Sequence, residues 1–382
     1  LLYLADSKED FVETEVKSPG QLIKALLKER GWEQKLLAHI LDIDEGDVSR
    51  LINDRKEVDA PLALLLEEVF MVPAECFMEL QKSFDLAKAR IIAQPDPKRA
   101  TRAQLFGGLP VSEMIKRGWI FASDLKDERV EPELSRFFGA NRIEDIEVLP
   151  HAAKKTEVNV DATPSQLAWL YRVRQVASGM MTPRYSSASL EAAIQKLNSL
   201  RVSAEAIAKV PRILMEAGIR FVIVEALPGS KIDGVCFWLD EQKPVIGMTL
   251  RFDRIDNFWF VLRHECEHVR LGHGRTEVML DVDMEGQRSV QKEEVEANTA
   301  AAEFCVPQKM LHAFIARKAP FYHEHDILGF AKTIGVHPGL VAGQLRRHMG
   351  RYDLFGNHVV KVRSKITPNA FVDGWGNVAP VD

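Results

Sequence analysis

Over residues 18–90 the apolar positions recur at three- and four-residue spacing, as in Leu22, Ile23, Leu26 and Leu27 and again in Leu36, Leu37 and Ile40. That is the period of amphipathic helices, so residues 18–92 are predicted to form an all-helical domain. Gln94-Pro-Asp-Pro-Lys-Arg99 carries two prolines, each of which restricts the residue before it, and reads as a linker. A helical pattern resumes over 100–201, with Thr163-Pro164 placed as an N-cap and a first-turn proline ahead of Leu167, Trp169, Leu170 and Tyr171. Residues 98–205 are therefore read as a helical connecting region.

After Ile213 the pattern changes. Short apolar runs at 221–224, 235–239 and 244–249, separated by Leu-Pro-Gly-Ser and Glu-Gln-Lys, predict three strands of a small sheet. One helix is expected over 256–270, a second over 290–306 stopped by Pro307, and a third over 326–349. The chemistry-bearing domain is placed at 206–350, and 351–382 is left as a tail of unassigned structure. The fold class expected is α+β and mostly helical. No internal repeat or low-complexity tract interrupts it.

Composition narrows the function classes. A length of 382 residues leaves room for two or three domains with ample cores. No apolar run approaches the roughly 18 residues that a membrane span needs, so no membrane role is expected. With 50 Lys+Arg against 55 Asp+Glu the formal charge is −5, and no global basic field draws the chain to nucleic acid or anionic lipid. Four cysteines at 76, 236, 266 and 305 are too scattered for a disulfide framework. The first residues, which begin with Leu1 rather than Met, lack the charged, apolar and cleavage-site regions of a signal peptide, so the cytoplasm is the expected compartment.

Residues 264–268 read His-Glu-Cys-Glu-His, an H-E-x-x-H on a predicted helix. The i, i+4 spacing stacks His264 and His268 on one face, where two imidazoles can grip one metal ion. Glu265 leans toward the same side and can take a proton from the attacking water, which assigns it as general base; Cys266 and Glu267 point elsewhere. A catalytic zinc takes three protein ligands and keeps a fourth position open, so a third donor is expected downstream. Glu294 is the choice, because Asn298 falls one turn later on its face and can orient a ligating histidine; Glu293 and Glu296 are its rivals. An H-E-x-x-H-x-x-G-x-x-H arrangement fails, since Leu271 and Gly274 stand where it needs Gly and His. His273, five residues beyond His268, is a candidate for contact with substrate or with a ligand, and Cys236 is a candidate thiolate cap for the zinc. The apolar run Phe258-Trp-Phe-Val-Leu262 should bury this helix, and buried His and Glu need partners.

From about residue 210 to 349 the sequence resembles the ImmA/IrrE family of metallo-endopeptidases. The resemblance is carried by Gly218-Ile219, Leu227-Pro-Gly-Ser230, Asp233-Gly234, Pro244-Val-Ile246, Phe258-Trp-Phe260 leading into His264-Glu-Cys-Glu-His268, Leu271-Gly-His273, Glu294-Val-Glu-Ala-Asn298 and Gly335-Val-His-Pro-Gly339. It implies a gluzincin-like domain whose three-stranded sheet packs on the HExxH helix, one Zn2+ per chain held by His264, His268 and Glu294, and Glu265 as base. It further implies cleavage or binding of a regulatory protein. Substrate is expected to add as an extended strand along the sheet edge at 235–239.

Residues 31–53, Gly-Trp-Glu-Gln-Lys-Leu-Leu-Ala-His-Ile-Leu followed by Asp-Ile-Asp-Glu-Gly-Asp-Val-Ser-Arg-Leu-Ile-Asn, form two helices joined by a short turn. They resemble the Cro/repressor-type (XRE) helix-turn-helix, and the continuation through Asp54-Arg-Lys-Glu57, Ala60 and Leu80-Gln-Lys-Ser-Phe-Asp-Leu86 is similar to HigA-type antitoxins. The resemblance implies phosphate contact by Gln34, base or backbone contact by the second helix through Ser49, Arg50 and Asn53, and a homodimer on operator DNA. The charges run against it. Residues 18–90 hold 10 Lys+Arg against 14 Asp+Glu, and basic help comes from Lys35, Arg50, Arg55 and Lys56. Two classes of function follow: a regulator that cleaves a protein partner or cognate toxin in a toxin-antitoxin, prophage or stress-response switch, or a non-catalytic antitoxin or repressor with a structural or relic zinc site.

Overall fold

Ser18 accepts a hydrogen bond from the Gln21 amide and Pro19 takes the first helical position, so the chain enters its first helix where a missing N–H removes no bond. The structure, a computed structural model, describes residues 16–93, 99–146, 162–275, 278–282 and 292–380. The chain forms two compact units that divide between Pro97 and Lys98.

The first unit holds α1 (Pro19–Glu29), α2 (Gln34–Leu41), α3 (Glu45–Ile52), α4 (Ala60–Phe70) and α5 (Ala74–Ile92). Ile23, Leu37, Val48, Leu51, Leu66 and Phe77 fill its core. Asp42 ends α2 in the left-handed conformation, and the Asp44 side chain accepts from the Gly46 amide at 2.6 Å to start α3. Asp54, just past α3, accepts from Ser18 Oγ at 2.6 Å and from the Gly20 amide at 2.9 Å, tying the entry of α1 to the exit of α3. The proline-bearing linker read at 94–99 lies outside the described residues except for Arg99, which already begins the next helix.

The second unit starts with α6 (Arg99–Gly108), α7 (Val111–Lys116), α8 (Val130–Phe138), α9 (Pro164–Ser178), α10 (Ser187–Leu200) and α11 (Val210–Glu216). Thr163 and Gln166 close a capping box at the start of α9. The strands are β1 (Arg220–Val224), β2 (Ile232–Trp238), β3 (Pro244–Met248), β4 (Met279–Val282) and β5 (Phe371–Asp373), in the order β4-β2-β3-β1-β5. β1 runs parallel to β3 and β5, whereas β2 runs antiparallel to β3 and β4. Among the described residues the sheet therefore has five strands rather than the three expected. The added pair are four and three residues long, too short for an alternating pattern to stand out, and each carries a buried aspartate.

Both faces of the sheet are covered, which is why β1, β2 and β3 are buried at every position. Val222, Val224, Val235, Phe237 and Val245 pack toward Trp169 and Val173 of α9 and the apolar residues of α6 to α8. Phe221, Ile223, Cys236, Ile246 and Met248 pack toward the opposite helices, α10 to α16. The segment read as a connecting region thus supplies one whole layer of the sheet's core. Trp169 donates its Nε1–H to the Val224 carbonyl at 3.0 Å, and Gln166 Nε2 donates to the Ser230 carbonyl at 2.8 Å.

Between sheet and outer helices runs α12 (Ile255–Leu271), buried along nearly its whole length and ended by Gly272 at φ 75. α13 (Lys292–Cys305) packs along it, followed by α14 (Gln308–Lys318), α15 (Glu324–Ile334), α16 (Pro338–Met349) and α17 (Arg363–Ile366). The single helix expected over 326–349 is two. Gly335 turns left-handed at φ 66, and Pro338 opens the second helix with the His337 ring accepting from the Gly339 amide. Among the described residues no helix is long and apolar enough to cross a membrane.

Candidate metal centre

The four-residue spacing in α12 sets the His264 and His268 rings 4.6 Å apart at an interplanar angle of 72°, with their Nε2 atoms 2.8 Å from each other. Both residues and Glu265 are wholly buried. On α13, Glu294 brings one carboxylate oxygen to 3.4 Å from His264 Nε2 and the other to 3.4 Å from His268 Nε2. Its rivals Glu293 and Glu296 are exposed, and Glu296 pairs with Lys292 at 3.7 Å. A fourth donor comes from β4, where Asp281 Oδ1 lies 3.3 Å from His264 Nε2. One atom from each of His264, His268, Asp281 and Glu294 lies within 4.8 Å of every other.

Whether these residues suit a metal can be judged from the atoms left over. Ligand bonds of about 2.0–2.1 Å around a tetrahedral zinc put neighbouring donors about 3.3 Å apart, close to the carboxylate–imidazole separations in this cluster. Asp281 Oδ2, both Glu265 oxygens and His264 Nδ1 are buried without a hydrogen-bond partner. Three carboxylates gathered in one dry pocket need a cation. The residues fit zinc.

The titration of the groups tells the same story. Burial pushes the His264 imidazolium down, but the Asp281 and Glu294 carboxylates outweigh it and hold the group up at about 9. Burial lowers His268 to about 4, leaving its ring neutral and ready to donate a lone pair. Burial, reinforced by Asp281 and Glu294, holds the Glu265 carboxyl well above the usual range. A divalent cation among these residues reverses the sign of that field and favours the carboxylate. Because the proton on His264 must leave before Nε2 can bind metal, zinc affinity is expected to rise with pH by about tenfold per unit for as long as His264 is protonated and to flatten above about 9. Competition with a chelator below about pH 9 measures the slope, and a flat profile would contradict the role of His264.

Gly234 on β2 faces the helix opposite Glu265. A Cβ there would stand 2.0 Å from Glu265 Oε1 and 3.0 Å from Val261 Cγ1, so only glycine leaves space for the carboxylate. His273 Nδ1 lies 3.0 Å from His268 Nδ1, and its amide donates to the His268 carbonyl in the turn closed by Gly272. Asn298 shares the α13 face of Glu294, yet its Oδ1 is buried without a partner. Cys266 is buried in the core and Glu267 pairs with Arg263 at 2.7 Å and with Arg270 at 2.9 Å, both turned away from the donors. Cys236 is not among the clustered donors. Burial, with Glu265 nearby, pushes its thiol well above the usual value, and Sγ sits 3.8 Å from the His273 carbonyl oxygen.

Sequence reasoning missed Asp281. The signal available was Met279-Leu-Asp-Val282, an alternation whose polar position falls between two apolar residues on the strand's helix side. It also placed the sheet edge at 235–239, whereas β2 is flanked by β3 on one side and β4 on the other.

In the first unit, Gln34, Lys35, Ser49, Arg50, Asn53 and Arg55 are exposed and Lys56 is half-buried. Asp47 pairs with Arg50 and, at 2.7 Å, with Lys56, while Lys35 lies 3.9 Å from Glu45. Asn53 Nδ2 donates to the Ser49 carbonyl at 2.8 Å. Three of the four cations read as phosphate contacts are thus already beside carboxylates.

Residues 215–345 match the family model of the IrrE N-terminal-like domain, Peptidase_M78. The matched span runs from the end of α11 into α16 and contains all four clustered donors and Glu265. No curated protein matches the chain.

Proposed function

We propose that the chain is a regulator in which a helix-turn-helix module precedes a zinc-dependent endopeptidase that hydrolyses a peptide bond in a regulatory protein partner or cognate toxin. The observation that carries this reading is the convergence of two imidazoles and Glu294 beside a buried Glu265 with both oxygens unpartnered. The match to a peptidase family model over the same residues supports it.

His264, His268 and Glu294 would hold a zinc ion, which when bound would supply Lewis-acid chemistry toward the scissile carbonyl and the attacking water. Glu265 takes the water's proton at a carboxylate oxygen and returns it to the leaving amine. Burial in the sheet–helix interface excludes bulk water from these residues, and Gly234 leaves the Glu265 carboxylate its room. His273 holds His268 by the Nδ1 contact, fixing which nitrogen faces the donors. The test is incubation of the zinc-loaded full chain with a proteome-derived peptide library, followed by mass spectrometry of new N-termini. Cleavage that a chelator abolishes and zinc restores, by the parent chain or by Asp281→Ala, supports the reading; a library left unchanged by both contradicts it.

For the first unit the proposal is operator binding as a homodimer through α3 and the start of α2. The combined Arg50→Ala and Arg55→Ala variant is expected to lose specific DNA affinity and to flatten its salt dependence, by about one unit of log–log slope per phosphate contact removed. DNA binding that survives unchanged, or none in the parent chain, would make the module a protein-docking or dimerisation element. The closed set of four donors favours a second reading of the metal site, in which zinc serves structure alone.

A further inference from the structure

β4 fills the place beside β2 at which the sequence pattern led an extended substrate to be expected. It runs antiparallel to β2 with Met279 opposite Cys236, Leu280 opposite Val235 and Asp281 opposite Gly234, and the register shifts immediately beyond. Strand alternation turns Met279 into the core on the α12 side and Leu280 into the α9 side, so Asp281 faces α12 and the two ligand histidines. Its Oδ1 stands as close to His264 Nε2 as the Glu294 oxygens stand to the two imidazoles, and its Oδ2 has no partner.

A tetrahedral ion bound by all four donors keeps no position for water or a carbonyl oxygen. We infer that Asp281 is a fourth, displaceable zinc ligand, and that β4 acts as a built-in pseudo-substrate strand which holds the peptidase closed until an extended segment of the protein partner takes its place beside β2. This rests on the proposed peptidase reading and adds its regulation. β4 suits the role because, among the described residues, it is an edge strand of four residues held in the sheet by its ladder to β2. The segment that replaces it needs an extended backbone to pair with β2 and no carboxylate at the position Asp281 fills.

The test uses the full chain loaded with Co2+, whose visible spectrum reports coordination, and acetohydroxamate as the probe for an open position. In the parent chain the probe is expected to leave the spectrum unchanged at concentrations that shift it in Asp281→Ala and Asp281→Asn, while all three hold one metal per chain. If Asp281 is bound in more than nine molecules in ten, its removal tightens the apparent hydroxamate affinity by about tenfold or more. Asp281→Asn keeps the side chain's shape and guards against a packing defect in Asp281→Ala. Equal hydroxamate response in parent and variants would overturn the inference and leave the peptidase reading standing. Loss of metal from both variants but not the parent would make Asp281 a permanent ligand and overturn it as well. A parent chain that binds no metal would overturn the peptidase reading itself.

Discussion

Replacing Glu265 by Gln is expected to lower the rate of peptide hydrolysis by about 10²- to 10⁴-fold while leaving zinc content unchanged. The amide is nearly isosteric with the carboxyl, so it fits the space that Gly234 leaves and cannot accept the water's proton. Stability should hold or rise, because burial and the neighbouring Asp281 and Glu294 carboxylates already disfavour the Glu265 carboxylate in the metal-free chain, and the amide is neutral and can still donate to Asp281. Metal content, thermal melting and cleavage of the peptide library, measured together, separate this outcome from unfolding. Chelator-sensitive cleavage that persists in Glu265→Gln would remove Glu265 from the chemistry.

The second large effect lies far from the donors. Arg172 on α9 donates from Nε to Asp373 Oδ2 at 2.6 Å and from a terminal nitrogen to the Ala379 carbonyl at 2.9 Å; Trp119 Nε1 donates to Asp373 Oδ1 at 2.9 Å. Arg172 is almost fully buried and Asp373 wholly so. Arg172→Met strands the Asp373 carboxylate without its cation, and breaking a buried pair from one side costs about 3–5 kcal/mol. The expected drop in melting temperature is on the order of 10 °C. Adding Asp373→Asn should restore a large part of it, since removing both charges is far milder than removing one. Equal melting of the parent and Arg172→Met would mean that β5 is not held to α9 through this pair.

That network marks where the sequence stops being readable. The HExxH geometry is local: a spacing of four on a helix puts two rings on one face wherever the helix lies, and the apolar run ahead of it announces burial. Glu294 was readable for the same reason, one turn from Asn298 on a second helix, and the exposure of Glu293 and Glu296 follows from the turn of that helix. Asp281 and Asp373 gain their positions from pairing with β2 and β1, strands distant in sequence, and four- or three-residue strands carry too few alternations to be recognised. The same lack of long-range information made residues 98–205 look like a connector, although Trp169 and Val173 build one side of the sheet's core. The break between α15 and α16 was written in Gly335 and Pro338, but continuous apolar periodicity across them masked it.

Elemental analysis of the purified full chain beside Glu294→Ala tests the central claim most directly. Glu294 supplies a donor from α13 that nothing else on that helix can replace, because the neighbouring carboxylates are exposed. The expected result is one zinc per parent chain and a marked fall in the variant, with both proteins folded. A folded parent chain that carries no metal and takes up no added zinc would contradict the account and leave the clustered donors as a relic of the site.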